Sequence, residues 1–257
     1  MAVWTAAWLH GTAAPDDVLD ALHQWAEAHE VRAADDELAE RLDLPGPAGA
    51  PAPIALLLPA LRRAGASRGE LVLPVSGDVR GLGGATEFAR AALPRGQAAV
   101  LPEARLGLVP QGPHEGLLRW TVFDTGLLPP SEHTPIGEAE HGMSAAMREA
   151  ASTLTDLDIA KHRPGVREEI AERAAAGPEP TWPGDVPQRP LRVLQRASEV
   201  EAILQVATED APGGALSASE TRKRMDALRP LFDSVRHARC AAVAEMVRVL
   251  ADRTSQT

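Results

Sequence analysis

The sequence contains no tyrosine, one cysteine, three phenylalanines and, among its 26 basic residues, only two lysines. Because Cys240 is alone, the chain can form neither an internal disulfide nor a zinc site built on cysteines. A membrane helix needs ~20 consecutive apolar residues, and the longest apolar candidate, Ile54–Leu61, is short and interrupted by Pro59. These absences predict a soluble cytoplasmic protein with no membrane partner, whose core is built from Leu, Val, Ala and a few Trp.

Acidic side chains outnumber basic ones, and the excess is concentrated near the N-terminus. The net charge is −10, and residues 1–50 carry ten acidic and two basic side chains, a local charge of −8. Such a surface repels phosphate backbones, so we do not expect nucleic-acid binding. Two interpretations stay open: a solvated face that aids solubility, and a docking face for a basic partner.

The stretch from Gly69 to Asp124 has the pattern of a small antiparallel sheet. Turn residues separate four short apolar runs, which we predict to be strands: Leu71–Val75, Ala98–Leu101, Leu106–Val109 and Leu118–Phe123. A turn at Pro102–Arg105 and a linker at Pro110–Gly116 join the last three runs into a meander. Pro74 predicts either an edge position for the first run or the end of the strand, because proline cannot donate a hydrogen bond to a neighbouring strand. A short helix, Thr86–Leu93, is predicted between the first two runs.

Helical periodicity dominates the two ends of the chain. Before the sheet, three segments are predicted to be helical: Val3–His10, for which a strand is the alternative, a segment from Pro15, and Asp35–Leu42. Trp25 is predicted to pack in the core beside Val18 and Leu22. After the sheet, four helices are predicted: Glu138–Ile159, Pro164–Ala176, Arg189–Ala207 and a long last helix that starts at a capping box formed by Ser217 and Glu220. The last helix carries a heptad seam, which requires a partner helix from this chain or from another copy.

We therefore predict an α+β fold. A small antiparallel β-meander with N-terminal helices occupies residues 1–126, a proline-rich linker occupies 127–137, and an all-helical region occupies 138–257. A single core shared by both regions is the alternative.

The glycine-rich loop Ser76–Gly84 is the main candidate for a ligand site. It joins an apolar strand to a helix start, a context in which backbone N–H groups hold anions. Arg80 would grip a phosphate or carboxylate, and Asp78 is the acid nearest to it. The candidate ligand-binding residues are Ser76, Asp78, Arg80, Gly81, Gly83 and Gly84. The spacing fits neither the dinucleotide fingerprint nor the P-loop, so no cofactor is predicted, and plain turns explain the glycines equally well.

Two other sequence patterns are weaker candidates for a functional site. Gly65–Gly69 matches G-x-S-x-G, but a helix precedes it and a strand follows, which is the reverse of a nucleophile elbow, so we interpret it as a turn. Two histidines and three glutamates cluster around the linker: Glu132, His133, Glu138, Glu140 and His141. Their spacing matches no zinc motif, and we interpret them as exposed polar residues rather than metal ligands. We predict no catalytic residue and no metal site.

Several phrases spread along the chain resemble a family of uncharacterised proteins from high-GC actinobacteria. They are LPVSGDVRGL (73–82), GLVP (107–110), WTVF (120–123), RPLRVL (189–194), GGALSASE (213–220) and ALRPL (227–231). The resemblance implies a bacterial cytoplasmic protein and assigns no activity to any residue.

We expect a non-catalytic interaction or regulatory protein that self-associates or binds a protein partner through its helices. The alternative is a small anionic-metabolite-binding protein or enzyme that uses the Ser76–Gly84 loop.

Overall fold

A computed structural model describes residues 1–156, 165–176, 179–184, 186–209 and 218–254. The chain forms two compact units. Unit 1 comprises Met1–Glu132, Glu179–Pro187 and Val243–Thr257, and unit 2 comprises His133–Pro178 and Gln188–Ala242. Within the described ranges, no helix is both long enough and apolar enough to cross a membrane.

The described part of unit 1 contains a mixed sheet and five short α-helices, together with two 3-10 turns and the last part of the long C-terminal helix. In chain order the strands and short α-helices are α1 (Ala2–Leu9), α2 (Pro15–His23), β1 (Ala28–Ala33), α3 (Asp36–Leu42), β2 (Ala52–Pro53), α4 (Leu57–Arg63), β3 (Glu70–Val72), α5 (Glu87–Ala92), β4 (Ala98–Leu101), β5 (Leu106–His114) and β6 (Leu117–Asp124). The predicted α+β class is confirmed.

The sheet is larger than the predicted meander. Its order is β2-β1-β6-β5-β4-β3, and β3 to β6 form the antiparallel part that the sequence predicted. The edge position of β3 is also confirmed. Strand β1, which the sequence analysis missed, lies parallel to β6 with Val31 opposite Trp120, and β2 pairs antiparallel with β1. Strand β5 continues through Pro110 to His114, so the predicted linker at 110–116 is wrong for most of its length.

Helices α1 to α4 cover one face of the sheet. Their buried apolar residues form a single cluster with Val31, Leu108, Trp120 and Val122 of the strands. The prediction that Trp25 belongs to this core is wrong, because its side chain is 56% exposed. Helix α2 ends at His23, so Trp25 no longer follows the helical stripe that buries Val18 and Leu22.

The opposite face is covered by α5 and the preceding loop. The Thr86 hydroxyl accepts a hydrogen bond from the Ala89 N–H and so caps α5. Phe88 is fully buried and packs with Leu82, Val109 and Phe123. Gly107 of β5 leaves space for the Phe88 ring, because a Cβ atom at this position would lie 2.9 Å from Phe88 Cζ.

Unit 2 consists of α6 (Ile136–Asp156), α7 (Val166–Ala175), α8 (Gln188–Glu209) and the first part of α9 (Ala218–Thr254). The α9 seam residues Leu228, Val235 and Ala242 are buried in one cluster with residues of α6 and α8. Of the two partners left open for the seam, the structure therefore provides the internal one. Leu157, Ile159, Pro164 and the capping residue Ser217 of the predicted helices lie outside the described residues.

Candidate functional site

The loop Ser76–Gly84 lies between β3 and α5, and its glycines adopt conformations that other residues disfavour. Gly77, Gly81, Gly83 and Gly84 all have positive φ angles. A Cβ at Gly81 would approach Val72 Cγ2 to 2.9 Å, and one at Gly83 would overlap the Leu128 side chain. The loop is held down by Leu82, which is 1% exposed. The glycines therefore serve turns and close packing.

Asp78 and Arg80, the charged residues of this loop, lie side by side. Arg80 Nε is 2.8 Å from Asp78 Oδ1, and Arg80 Nη2 is 2.7 Å from Asp78 Oδ2. This bidentate ion pair uses the guanidinium edge that a phosphate or carboxylate ligand would take. Ser76 is exposed and lies within the turn in which Val75 and Asp78 exchange backbone hydrogen bonds. Anion binding by this loop stays a prediction, and a ligand would have to compete with Asp78.

The polar residues around the predicted linker point to solvent. Glu132, His133, Glu138, Glu140 and His141 are all exposed. Glu140 forms an ion pair with Arg189, whose Nη2 lies 2.9 Å from Glu140 Oε2. Across the described ranges, no three His, Cys, Asp or Glu residues come together in a group that could hold a metal ion.

The charged and aromatic side chains of α2 and the residues after it form an exposed surface, which we call the α2 surface: Asp16, Asp17, Asp20, Trp25 and Glu27. All five side chains are exposed. The Asp17 carboxylate accepts a hydrogen bond from the Ala14 N–H over 2.8 Å and so caps the helix. Asp16, Asp20 and Glu27 have no ion-pair partner within the part of the chain that the structure describes. The surface thus combines unneutralised carboxylates with a large exposed indole.

The acidity of this region was evident from the sequence, whereas the exposure of Trp25 was not predicted. The prediction assumed that α2 extends as far as Trp25. In a helix of that length, Trp25 would lie on the same buried face as Val18 and Leu22. The backbone N–H of Trp25 bonds to the Leu22 carbonyl oxygen over 2.9 Å, in a turn that ends the helix. After this residue, His29, Val31 and Ala33 alternate with the charged Glu30 and Arg32, and this short alternation was the available signal that the helix had ended.

A buried polar pair joins the two parallel strands of unit 1. His29 of β1 is 5% exposed, and its Nδ1 accepts a hydrogen bond from Trp120 Nε1 of β6 over 3.2 Å. The pKa of His29 is lowered from 6.5, first because burial disfavours the charged ring and further because His23 lies nearby, while the Leu22 carbonyl acts in the opposite direction. The pair stabilises the fold and lies on the face that the helices cover.

Comparisons with known proteins agree along the whole chain. Residues 1–135 match the N-terminal domain of the Rv1486c-like proteins, and residues 137–240 match the C-terminal domain. The chain is 37% identical to the uncharacterised protein Rv1486c of Mycobacterium tuberculosis H37Rv, with 96% of each chain covered. It is 34% identical to the uncharacterised protein ML1804 of Mycobacterium leprae, with 95% of this chain and 94% of that protein covered. No solved structure matches it. The chain belongs to the Rv1486c-like family of actinobacterial proteins.

Proposed function

We propose that this protein is a non-catalytic interaction or regulatory protein of the cytoplasm, and that its α2 surface binds a basic protein partner. The observation that carries the proposal is the 56% exposure of Trp25 among acidic side chains. An exposed indole is unfavourable in water, and tryptophan is one of the residues most enriched at the energetic centres of interfaces.

The chemistry of the surface favours a cationic partner. Asp16, Asp20 and Glu27 would attract arginine and lysine side chains by long-range electrostatics, which raises the association rate. A guanidinium or ammonium group of the partner would stack on the Trp25 ring, a contact that contributes about 0.5–2 kcal/mol. The same charges disfavour a second copy of this chain as the partner, because two copies of the surface repel each other.

A heteromeric partner also agrees with the packing of unit 2. The apolar seam of α9, which first suggested self-association, is covered by α6 and α8 of the same chain. Contacts within this chain therefore account for the apolar residues Leu228, Val235 and Ala242, and a second copy is not needed to cover them. The proposal rests on unit 1 alone.

Site-specific photo-crosslinking in an actinobacterial host tests the proposal. A benzophenone amino acid replaces Trp25 in one sample and Leu56 in a matched control, because Leu56 is also an exposed apolar residue of unit 1, with 46% of its surface accessible. We expect position 25 to capture a protein with a basic surface and position 56 to capture none of it. Capture should weaken with salt and with the triple change D16N/D20N/E27Q.

Three outcomes would contradict this function. They are identical products at both positions, capture of a second copy of this chain alone, and capture that neither salt nor the charge-neutral triple variant reduces.

A further inference from the structure

A small cavity lies on the sheet face of unit 1 that α5 covers. Its volume is about 180 Å³, and its wall includes Arg32, Thr121, Gln111, Glu87 and Phe123. Arg32 of β1 is the register partner of Thr121 of β6, so the two side chains leave the same face of adjacent strands. The cavity is smaller than the roughly 300–1,000 Å³ of pockets for drug-sized ligands, which restricts it to a small metabolite.

Thr121 lies in the cavity wall with a buried hydroxyl group. Thr121 is 4% exposed, and its Oγ1 has no hydrogen-bond partner among the residues that the structure describes. A buried hydroxyl without a partner is unfavourable, and most buried side-chain polar atoms are hydrogen-bonded. Less than 1 Å² of this oxygen is accessible to solvent, so Thr121 forms part of the cavity wall and its hydroxyl is not offered to a ligand in the cavity.

The charges around the cavity are the indication of a ligand. Arg119 precedes Thr121 by two residues and lies on the same face of the sheet. It donates from Nε and Nη2 to Glu30 Oε2 over 3.1 and 2.9 Å, so the charge of Arg119 is neutralised. Arg32 and Glu87 form no ion pair with any described residue. The cavity thus presents one cation and one carboxylate that are both unpaired, together with the Gln111 amide.

We propose that this cavity binds a small neutral α-amino acid. Arg32 takes the ligand carboxylate through a bidentate charge-assisted contact, and Glu87 takes the ammonium group. Phe123 forms an apolar wall for a short aliphatic side chain. Such a site would make the protein responsive to an amino acid, and it requires no protein partner.

Isothermal titration of the full chain with L-alanine, L-serine and L-valine tests the site. L-lactate keeps the carboxylate of L-alanine and replaces its ammonium group by a hydroxyl, so it is the matched ligand control. We expect at least one amino acid to bind and L-lactate to bind about tenfold more weakly or not at all. Absence of binding by all three amino acids up to about 10 mM, or equal binding of L-lactate, would overturn the proposal.

Variants assign the contacts. We expect R32K and E87Q each to weaken binding of the amino acid by about tenfold. Arg90 lies on the same helix as Glu87 and is exposed, so R90A is the matched control and should bind normally. Thermal unfolding confirms that each variant is folded. Unchanged binding in folded R32K and E87Q, or an equal loss in R90A, would place the ligand elsewhere and overturn the assignment.

Discussion

Trp120 donates its indole N–H to Nδ1 of His29 over 3.2 Å, while Nε2 of the same ring lies 2.8 Å from the Leu22 carbonyl oxygen. The indole can only donate and the carbonyl can only accept, so the His29 ring is neutral and carries its proton on Nε2. This ring connects the end of α2 to both parallel strands. A second proton would go on Nδ1, where it would face the indole N–H and remove the hydrogen bond.

The first prediction concerns pH. Because the pKa of His29 is lowered from 6.5 in the folded protein, the unfolded chain binds more protons between the folded pKa and 6.5. The free energy of unfolding should therefore fall as pH decreases below about 6.5, which urea titrations between pH 5 and 8 would measure.

Two variants isolate the contribution of His29. H29N keeps an acceptor for Trp120 and cannot titrate, so its stability should be lower at pH 8 and flatter between pH 8 and 5. H141N replaces an exposed histidine and should follow the wild-type curve. If H29N and the wild type lose stability in parallel, His29 does not cause the dependence.

The second prediction concerns Gly107. A methyl group there would overlap the Phe88 ring, so we expect G107A to lower the free energy of unfolding by about 1–3 kcal/mol. Gly112 lies on the same strand, and a Cβ there would meet only the Leu117 carbonyl oxygen at 3.9 Å, so G112A is the control. Chemical unfolding of both variants and of G107A/F88L gives the test. Equal effects of G107A and G112A, or no recovery on shortening Phe88, would contradict steric overlap as the cause.

The third prediction concerns two threonines with the same exposure, 4%, and different bonding. Oγ1 of Thr121 has no partner among the described residues, whereas Oγ1 of Thr125 donates to the Gly126 carbonyl oxygen over 3.2 Å. Removing an unpaired buried hydroxyl should stabilise the ligand-free protein by about 1 kcal/mol in T121V, and removing a bonded one should destabilise T125V by a similar amount. Thermal and urea unfolding would show the opposite signs. A destabilised T121V would mean that its hydroxyl is satisfied within the fold.

The fourth prediction concerns the glycine-rich loop. In the Asp78–Arg80 ion pair, 62% of the Arg80 side chain is accessible to solvent. We therefore expect R80A to change the free energy of unfolding by less than about 1 kcal/mol. G81A should cost about 1–3 kcal/mol, because Gly81 combines a φ of +81° with a close approach to Val72. Thermal shifts measured with and without phosphate compare both variants with the wild type. A phosphate-dependent shift that R80A abolishes would support the anion site predicted for this loop.

Local sequence patterns correctly predicted those elements whose start or position depends on residues close together in the chain. Thr86 marks the start of α5 because its hydroxyl bonds within the same turn, and Pro74 marks the edge of the sheet because proline has no N–H to donate. Strand β1 was missed because its alternation is short and only Val31 and Ala33 are apolar among its buried positions. Glu30 is tolerated in this strand because it pairs with Arg119 of the neighbouring strand, a contact that no local pattern contains.

The two candidate sites also differ in how much of each could be predicted from the sequence. The acidity of the α2 surface was evident from composition, but the exposure of Trp25 depends on where α2 ends. The cavity was not predicted, because Arg32 and Thr121 come from strands far apart in the chain whose pairing was unknown.

By itself, the sequence determined the α+β class, the helical C-terminal region, the meander from β3 to β6 and the family, because each depends on short-range periodicity, turn residues or phrases that relatives share. Only the tertiary structure decided that β1 joins the sheet parallel to β6. That pairing places His29 against Trp120 on one face and Arg32 beside Thr121 on the other. The physical reason is that long-range strand pairing is selected by the burial and hydrogen bonding of the complete sheet, which no single segment of the chain contains.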